Sequence, residues 1–330
     1  MNAALRSGIW SAEVRCVKGT LAAWTLVGAV IGAGFASGRE IASFFSRWGW
    51  WSLAAIAAAV GILIWICRGA MERPCPPLTW RGKWPEKLWQ GMFLALLTVT
   101  GGAMTAAAGE IAALTLPIRG AYWLGMIVSL ALAQILCEKT TTGLMRISQG
   151  LTACLVLIMM MGLFLSPMRG VALKGTQGWR ALPQSLWHGL CYGGFNGALA
   201  VPVLTQMRAH MQHEQRGRTV WLGCGILAVL LLLGNAVMLR HPALMGEALP
   251  MIRLLGRFGR IGYMLGALAL WLSAMSTLMA CLAGMRGRGW WPVLAMVGVA
   301  MLGFSAAVER LYPLLGGGCV ALLMAARWEK

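Results

Sequence analysis

The strongest constraint on this fold is a glycine-punctuated segment, Gly28 to Glu40, that reads GAVIGAGFASGRE within the first strongly apolar stretch. Each glycine weakens a helix by roughly 1 kcal/mol relative to alanine. Backbone groups freed at membrane depth need protein or a wet cavity to satisfy them. The segment therefore predicts a broken helix whose backbone faces a binding site, as is typical of secondary transporters. The alternative is that glycines four residues apart, such as Gly28 and Gly32, only let helices pack closely.

The composition is that of a membrane protein, with 59% hydrophobic residues, 12% charged residues and a mean hydropathy of +0.71. The net charge of +18 comes from basic residues between apolar stretches, which indicates topology signals and argues against a nucleic-acid surface. The nine cysteines include no C-x-x-C pair, and the H-E-x-x-H, Walker A and G-x-S-x-G motifs do not occur. We therefore expect lipid and a small-molecule substrate as partners. We expect no nucleic acid, no enzymatic chemistry and no cofactor or metal beyond a coupling ion, and the oligomeric state stays open.

The apolar stretches predict an all-α membrane protein with ten spans, since a helix needs about 20 mostly apolar residues to cross a bilayer. Seventeen of the 28 lysines and arginines lie on one side of these spans. This bias predicts a multi-pass protein of the cell membrane with both termini in the cytoplasm. The predicted spans are 20–38, 49–67, 89–112, 120–137, 147–166, 186–206, 219–239, 260–283, 290–306 and 310–326.

Ten spans divide into two halves of five, and an odd number in each half implies an inverted repeat. The glycine segment of span 1 resembles Tyr192-Gly-Gly-Phe-Asn-Gly197 in span 6, its expected mate, so a second broken helix is predicted there. Between spans 7 and 8, apolar residues at helical spacing from Leu244 to Leu255 predict an outer amphipathic helix over the site. The predicted organisation is a cytoplasmic segment (1–19), a first five-helix repeat (20–166), an outer loop (167–185), a second repeat (186–326) and a cytoplasmic tail (327–330).

The motif Gly-Ala-Gly-Phe-Ala-Ser-Gly-Arg-Glu at 32–40 closely resembles the first-helix motif of the YkvI-type membrane proteins. These are a branch of the amino acid–polyamine–organocation (APC) superfamily, whose members share the LeuT fold. The similarity extends over nearly the whole chain in length, span number and the placing of a second broken helix near Tyr192 and Asn196. Arg39 departs from the family, where glutamine is expected. The resemblance implies substrate held between broken helices 1 and 6, with helices 1, 2, 6 and 7 rocking against helices 3, 4, 8 and 9. It does not supply a substrate.

The two predicted breaks supply the candidate substrate site. N–H groups beyond the break in span 1 suit a carboxylate, freed carbonyls suit an amine, and Tyr192 and Asn196 offer hydrogen bonds beside an apolar wall at Phe195. An α-amino acid fits this combination. The candidate substrate-binding residues are Gly32, Ala33, Gly34 and Phe35 in span 1, and Tyr192, Gly193, Gly194, Phe195 and Asn196 in span 6.

The resemblance also implies an ion site. Sodium-coupled members of the superfamily hold one sodium ion between carbonyls of helix 1 and hydroxyls of helix 8, which here are Gly28, Ile31, Ser276 and Thr277. Proton-coupled relatives can replace that ion with a lysine from helix 5, and span 5 contains no lysine, which favours sodium. The alternative is that both hydroxyls only bond to the carbonyl of the preceding turn.

Charged residues near the spans are candidates for gates. Arg39 and Glu40 close the outer end of span 1, and Glu309 opens span 10 on the same side, so Arg39 and Glu309 could form an outer gate. A cap at the membrane interface is the alternative. Together these features predict a sodium-coupled secondary transporter of a small amino acid or a related zwitterion or amine. The alternatives are a proton-coupled permease and a non-transporting, ligand-binding receptor subunit.

Overall fold

The computed structural model describes residues 19–72, 83–139 and 178–325, which form helices and short connections without a strand. Predicted span 5 (147–166) and both termini lie outside the described residues, so the ten spans, the inverted repeat and the domain limits stay predictions. Among the described residues, two shorter apolar helices cover Ala121–Cys137 and Trp291–Met301. The helical stretches long and apolar enough to cross a membrane are Ser46–Glu72, Lys87–Thr115, His213–Arg240, Pro250–Gly284 and Phe304–Ala325.

The α-helices are labelled in chain order. A 3₁₀ helix, Ser46–Trp51, joins α3 to α4, and a π-helical turn, Ala307–Leu311, joins α12 to α13. The helices are α1 (Gly19–Val30), α2 (Ala33–Ser37), α3 (Arg39–Phe44), α4 (Ser52–Glu72), α5 (Lys83–Thr115), α6 (Ala121–Lys139), α7 (Leu182–Arg208), α8 (His213–Arg240), α9 (Pro250–Leu255), α10 (Gly259–Gly284), α11 (Trp291–Met301), α12 (Phe304–Ala306) and α13 (Tyr312–Ala325).

The first span is broken where the glycines predict. The helix stops at Ile31 and Gly32, and the Gly32 N–H donates to the Val30 carbonyl at 3.1 Å. The Gly28 carbonyl therefore loses the donor that it would have in a continuous helix. A second interruption follows at Gly38, whose φ of +80° lies in the left-handed region that glycine adopts at little cost. Helix α3 follows this interruption, so the span continues past its predicted end at residue 38, as far as Phe44.

The predicted break in span 6 is wrong, because α7 runs without interruption from Leu182 to Arg208. Its glycines serve close packing. A Cβ on Gly193 would lie 2.5 Å from the Ala59 carbonyl oxygen of α4, and one on Gly194 would lie 2.7 Å from the Gly316 carbonyl oxygen of α13. A helix backbone that approaches two neighbours this closely needs small residues at the contacts, so these glycines keep the helix packed.

Two further boundaries differ from the predictions. Of the helix expected from Leu244 to Leu255, only α9 forms, because Pro250 lacks the N–H that would continue a helix from upstream and suits a first turn instead. The predicted ninth span, 290–306, ends at Met301 as α11. Gly303 follows with a φ of +86°, and this left-handed residue separates α11 from the last span.

Most of the long helices pack into two groups, and α13 contacts one helix of each, α7 and α5. One group consists of α1, α4, α7 and α8, and the other of α5, α6, α10 and α11. The first span lies where they meet: α1 packs on α7 and α8, whereas α2 packs on α10 and α5. The division has the same helices as the two sets that the family resemblance implies, and movement of one set against the other stays a prediction. The break in the first span lies at the junction between the two groups.

Candidate functional site

A cavity of about 360 Å³ lies at this junction, beside the break in the first span. It extends from Glu40 toward Thr25, Phe93 and Val203, along α1, α5 and α7. The structure brings together eight of the residues that the sequence predicts as site or gate residues, and they line this cavity: Gly28, Gly32, Gly34, Glu40, Phe195, Asn196, Ser276 and Thr277.

The other predicted substrate residues lie outside the cavity wall. Ala33 and Phe35 are buried beside the break, as is Ile31 of the predicted ion site. Tyr192 packs instead against two rings at the end of the first span, with its ring centroid 5.4 Å from that of Phe44 and 4.9 Å from that of the following Phe45. Gly193 and Gly194 form the helix contacts described above. Within span 6, therefore, Phe195 and Asn196 are the predicted residues that reach the cavity.

Glu40 occupies a different place from the interface position that the sequence predicts. It is 5% exposed, and its side chain folds back over Gly34, where a Cβ would overlap the carboxylate. Its Oε2 atom is buried without a hydrogen-bond partner among the described residues. The left-handed turn at Gly38 and the missing side chain at Gly34 make this return possible, so a carboxylate reaches the cavity beside the first turn of α2.

Two cavity residues, Tyr312 and Thr100, are absent from the sequence-based prediction. The Tyr312 ring stacks on Phe195 at a centroid distance of 4.1 Å and an interplanar angle of 20°. The hydroxyl groups of Thr100 and Tyr312 are both buried, and neither has a hydrogen-bond partner among the described residues. A tyrosine and a threonine inside apolar spans are polar groups at membrane depth, which is the signal that could have identified them.

The predicted ion-site residues Gly28, Ser276 and Thr277 lie close to the break. The Ser276 and Thr277 hydroxyls donate to the Ser273 carbonyl at 2.9 and 3.1 Å, as the alternative interpretation expects. Each hydroxyl oxygen keeps lone pairs that can face a cation. A Cβ on Gly32 would lie 3.5 Å from Thr277 Oγ1, so α10 presents this hydroxyl directly to the broken backbone.

Arg39 ties the first span to two other segments. Its Nη1 atom donates to the Met245 carbonyl at 2.7 Å and to the Glu247 carbonyl at 3.0 Å. Its Nη2 atom forms an ion pair with Glu309 in the π-helical turn. The Arg39 side chain is 7% exposed and that of Glu309 41%. The predicted pairing is present, with Arg39 buried, and its role as a gate stays a prediction.

Comparison with known proteins supports the fold. No protein-family profile and no curated protein matches the sequence. Among solved structures, the inward-facing conformation of Mhp1 matches over 93% of this chain and 76% of its own, with a TM-score of 0.63 and 14% identity. A manganese transporter of Eremococcus coleocola matches over 92% and 75%, with a TM-score of 0.43 and 14% identity. The fold is that of the LeuT-type secondary transporters. Membership of the YkvI-type branch stays a prediction.

Proposed function

We propose that this chain is a secondary active transporter that moves a small amino acid, or a related zwitterion or amine, across the membrane by alternating access. The observation that carries the proposal is the cavity of about 360 Å³ between two helix groups, at the broken backbone of the first span. In transporters, irregular backbone at membrane depth lines the binding site between units that move against each other. The LeuT-type fold supports the same activity.

The contacts of Arg39 would close the transport path at one end. Arg39 binds α3 to the segment before α9 and to the turn before α13. The distribution of lysine and arginine predicts that this end faces outward. The cavity extends from there toward Thr25 and Val203 on the opposite side. Breaking and reforming these contacts would open and close the outer path.

We propose sodium as the coupling ion, held by the carbonyls of Gly28 and Ile31 and the hydroxyls of Ser276 and Thr277. The support is that the break frees the Gly28 carbonyl while α10 brings the Thr277 hydroxyl to Gly32. A hard cation takes oxygen ligands of this kind.

Flux into proteoliposomes tests the proposal. Purified protein in vesicles is given radiolabelled amino acids and amines with an inward sodium gradient, or with potassium in its place. We expect sodium-driven uptake of at least one solute and loss of the sodium dependence in Thr277→Ala. The matched control is Thr205→Ala, whose hydroxyl makes the same type of bond, to the Val201 carbonyl, and which does not belong to the cavity wall. Saturable binding without gradient-driven uptake would refute transport, and sodium dependence that survives Thr277→Ala would refute the ion site.

A proton-coupled permease is the second candidate, and the buried carboxylate of Glu40 in the cavity favours it. Ionisable groups at membrane depth commonly take part in proton relays. Uptake driven by an inward proton gradient in potassium buffer, unaffected by added sodium, would establish this candidate in place of the sodium-coupled one.

A further inference from the structure

We propose that Glu40, together with Thr100 and Tyr312, binds the ammonium group of the substrate, and that the substrate is a small primary amine in its cationic form. The proposal rests on the transport function proposed above and narrows its substrate class.

Three residues of the cavity wall each carry a buried oxygen atom without a hydrogen-bond partner among the described residues. These atoms are Glu40 Oε2 and the hydroxyl oxygens of Thr100 and Tyr312. Glu40 comes from the first span, Thr100 from α5 and Tyr312 from α13, so three separate helices bring these groups to one cavity. A primary ammonium group has three N–H donors and no acceptor. One such group can therefore satisfy three acceptors that are costly to leave unpaired in a buried site.

The charges around the cavity favour a cation. Among the described residues of the cavity wall, Glu40 alone has an acidic or basic side chain. The neighbouring Arg39 points away from it, to Met245, Glu247 and Glu309. A buried carboxylate without a counter-charge is unfavourable in a low-dielectric site. An incoming ammonium group supplies that counter-charge, so the substrate itself would complete the ion pair.

The position of the Glu40 carboxylate argues against a substrate that carries a carboxylate of its own. Glu40 lies against Gly34, in the first turn of α2, where the N–H groups beyond the break would hold the carboxylate of an amino acid. Two like charges at that position repel each other strongly at low dielectric. The stacked rings of Phe195 and Tyr312 add an aromatic surface, and aromatic faces attract organic cations. An amine that lacks the α-carboxylate therefore suits the site better than the matching amino acid does.

Matched ligands test the charge requirement on the purified protein. The probes are ethylamine, isobutylamine and phenethylamine, each paired with the amino acid that has the same side chain (alanine, valine and phenylalanine) and with the matching alcohol. Thermal unfolding gives an apparent dissociation constant for each, because a ligand of the folded state raises the unfolding midpoint. All measurements are made in potassium buffer and repeated in sodium.

We expect at least one amine to bind more tightly than its amino acid and its alcohol, and Glu40→Gln to weaken that binding by about tenfold or more. The control variant is Glu110→Gln, since Glu110 is a half-buried glutamate of α5 outside the cavity wall. Tighter binding of the amino acids or alcohols would overturn the proposal. The proposal would also be overturned if Glu40→Gln left the amine affinity unchanged or if none of the three amines bound. It would equally be overturned if sodium without an amine raised the unfolding midpoint and Glu40→Gln abolished that increase.

A second measurement uses the wild-type chain, in case Glu40→Gln does not fold. Dicyclohexylcarbodiimide forms adducts with carboxyl groups in apolar surroundings, and mass spectrometry locates them. We expect the bound amine, but not its alcohol, to protect Glu40 from modification. Equal modification with and without the amine would overturn the proposal. Amine binding through Glu40 without gradient-driven uptake would refute transport alone, whereas sodium-driven uptake that Glu40→Gln leaves unchanged would refute the ammonium site alone.

Discussion

Replacing Gly193 by alanine tests whether this glycine packs two helices together or belongs to a break. Its Cβ would lie 2.5 Å from the Ala59 carbonyl oxygen and overlap the Ile62 side chain. Real Cβ atoms essentially never come closer than 3.0 Å to such an atom, so α4 and α7 would have to separate by at least 0.5 Å. Because a backbone carbonyl cannot rotate away, we expect the overpacking to cost about 1–3 kcal/mol.

The matched control is Gly61→Ala on α4, where a Cβ would have no atom of the described residues within 4 Å. Both substitutions gain the same helix propensity, up to about 1 kcal/mol, so their difference isolates the clash. Equilibrium unfolding in mixed micelles of increasing dodecyl sulfate content, followed by circular dichroism, gives both free energies. Gly193→Ala should be less stable than Gly61→Ala by about 1–3 kcal/mol. Equal free energies of unfolding for the two variants would refute the close contact. If Gly193→Ala were as stable as the control but bound ligand less tightly, Gly193 would belong to the substrate site, as the sequence predicts.

Two further predictions concern charged groups near the segment between α8 and α10. Arg39→Gln should lower the free energy of unfolding by about 2 kcal/mol, since two backbone carbonyls lose a charged donor. The control Arg68→Gln, which breaks an exposed ion pair with Glu72, should cost at most about 0.5 kcal/mol. Similar losses of stability in the two variants would contradict a stabilising role of the buried Arg39 contacts. His241 follows α8 outside the spans, and burial together with the positive charges of Arg257 and Arg240 lowers the pKa of its imidazole. The unfolded chain then takes up this proton first, so stability should decrease as the pH falls below about 6.5. The unfolding midpoint of His241→Gln should decrease less over the same range, and identical slopes would exclude this histidine.

Local physical chemistry explains why the sequence predicted much of the first span. Glycine at position 32 weakens the helix, and glycine at position 38 adopts a left-handed conformation that would be costly for other residues. Both interruptions therefore follow from the residue types. The same holds for the apolar stretches, whose length and hydropathy mark most of the observed helices within a few residues. These properties depend on neighbours in the chain and can be read without a fold.

The failure at span 6 has the opposite cause. Gly193 and Gly194 have the same composition as a break, but a glycine in a membrane helix also permits close approach of a neighbour. Which of the two applies depends on whether Ala59 and Gly316 lie within contact distance. Those residues come from α4 and α13, far away in the sequence, so no local pattern distinguishes the two outcomes.

By itself, then, the sequence determined a helical membrane chain with a weakened first span, because hydropathy and glycine content act locally. Tertiary structure alone decided where the charges go. Glu40 follows the break by only eight residues, yet the turn at Gly38 and the missing side chain at Gly34 return its carboxylate to the cavity. Tyr312, from the other end of the chain, lines the same cavity. The position of a buried charge depends on the three-dimensional path of several helices, and that path is settled by packing between segments distant in the sequence.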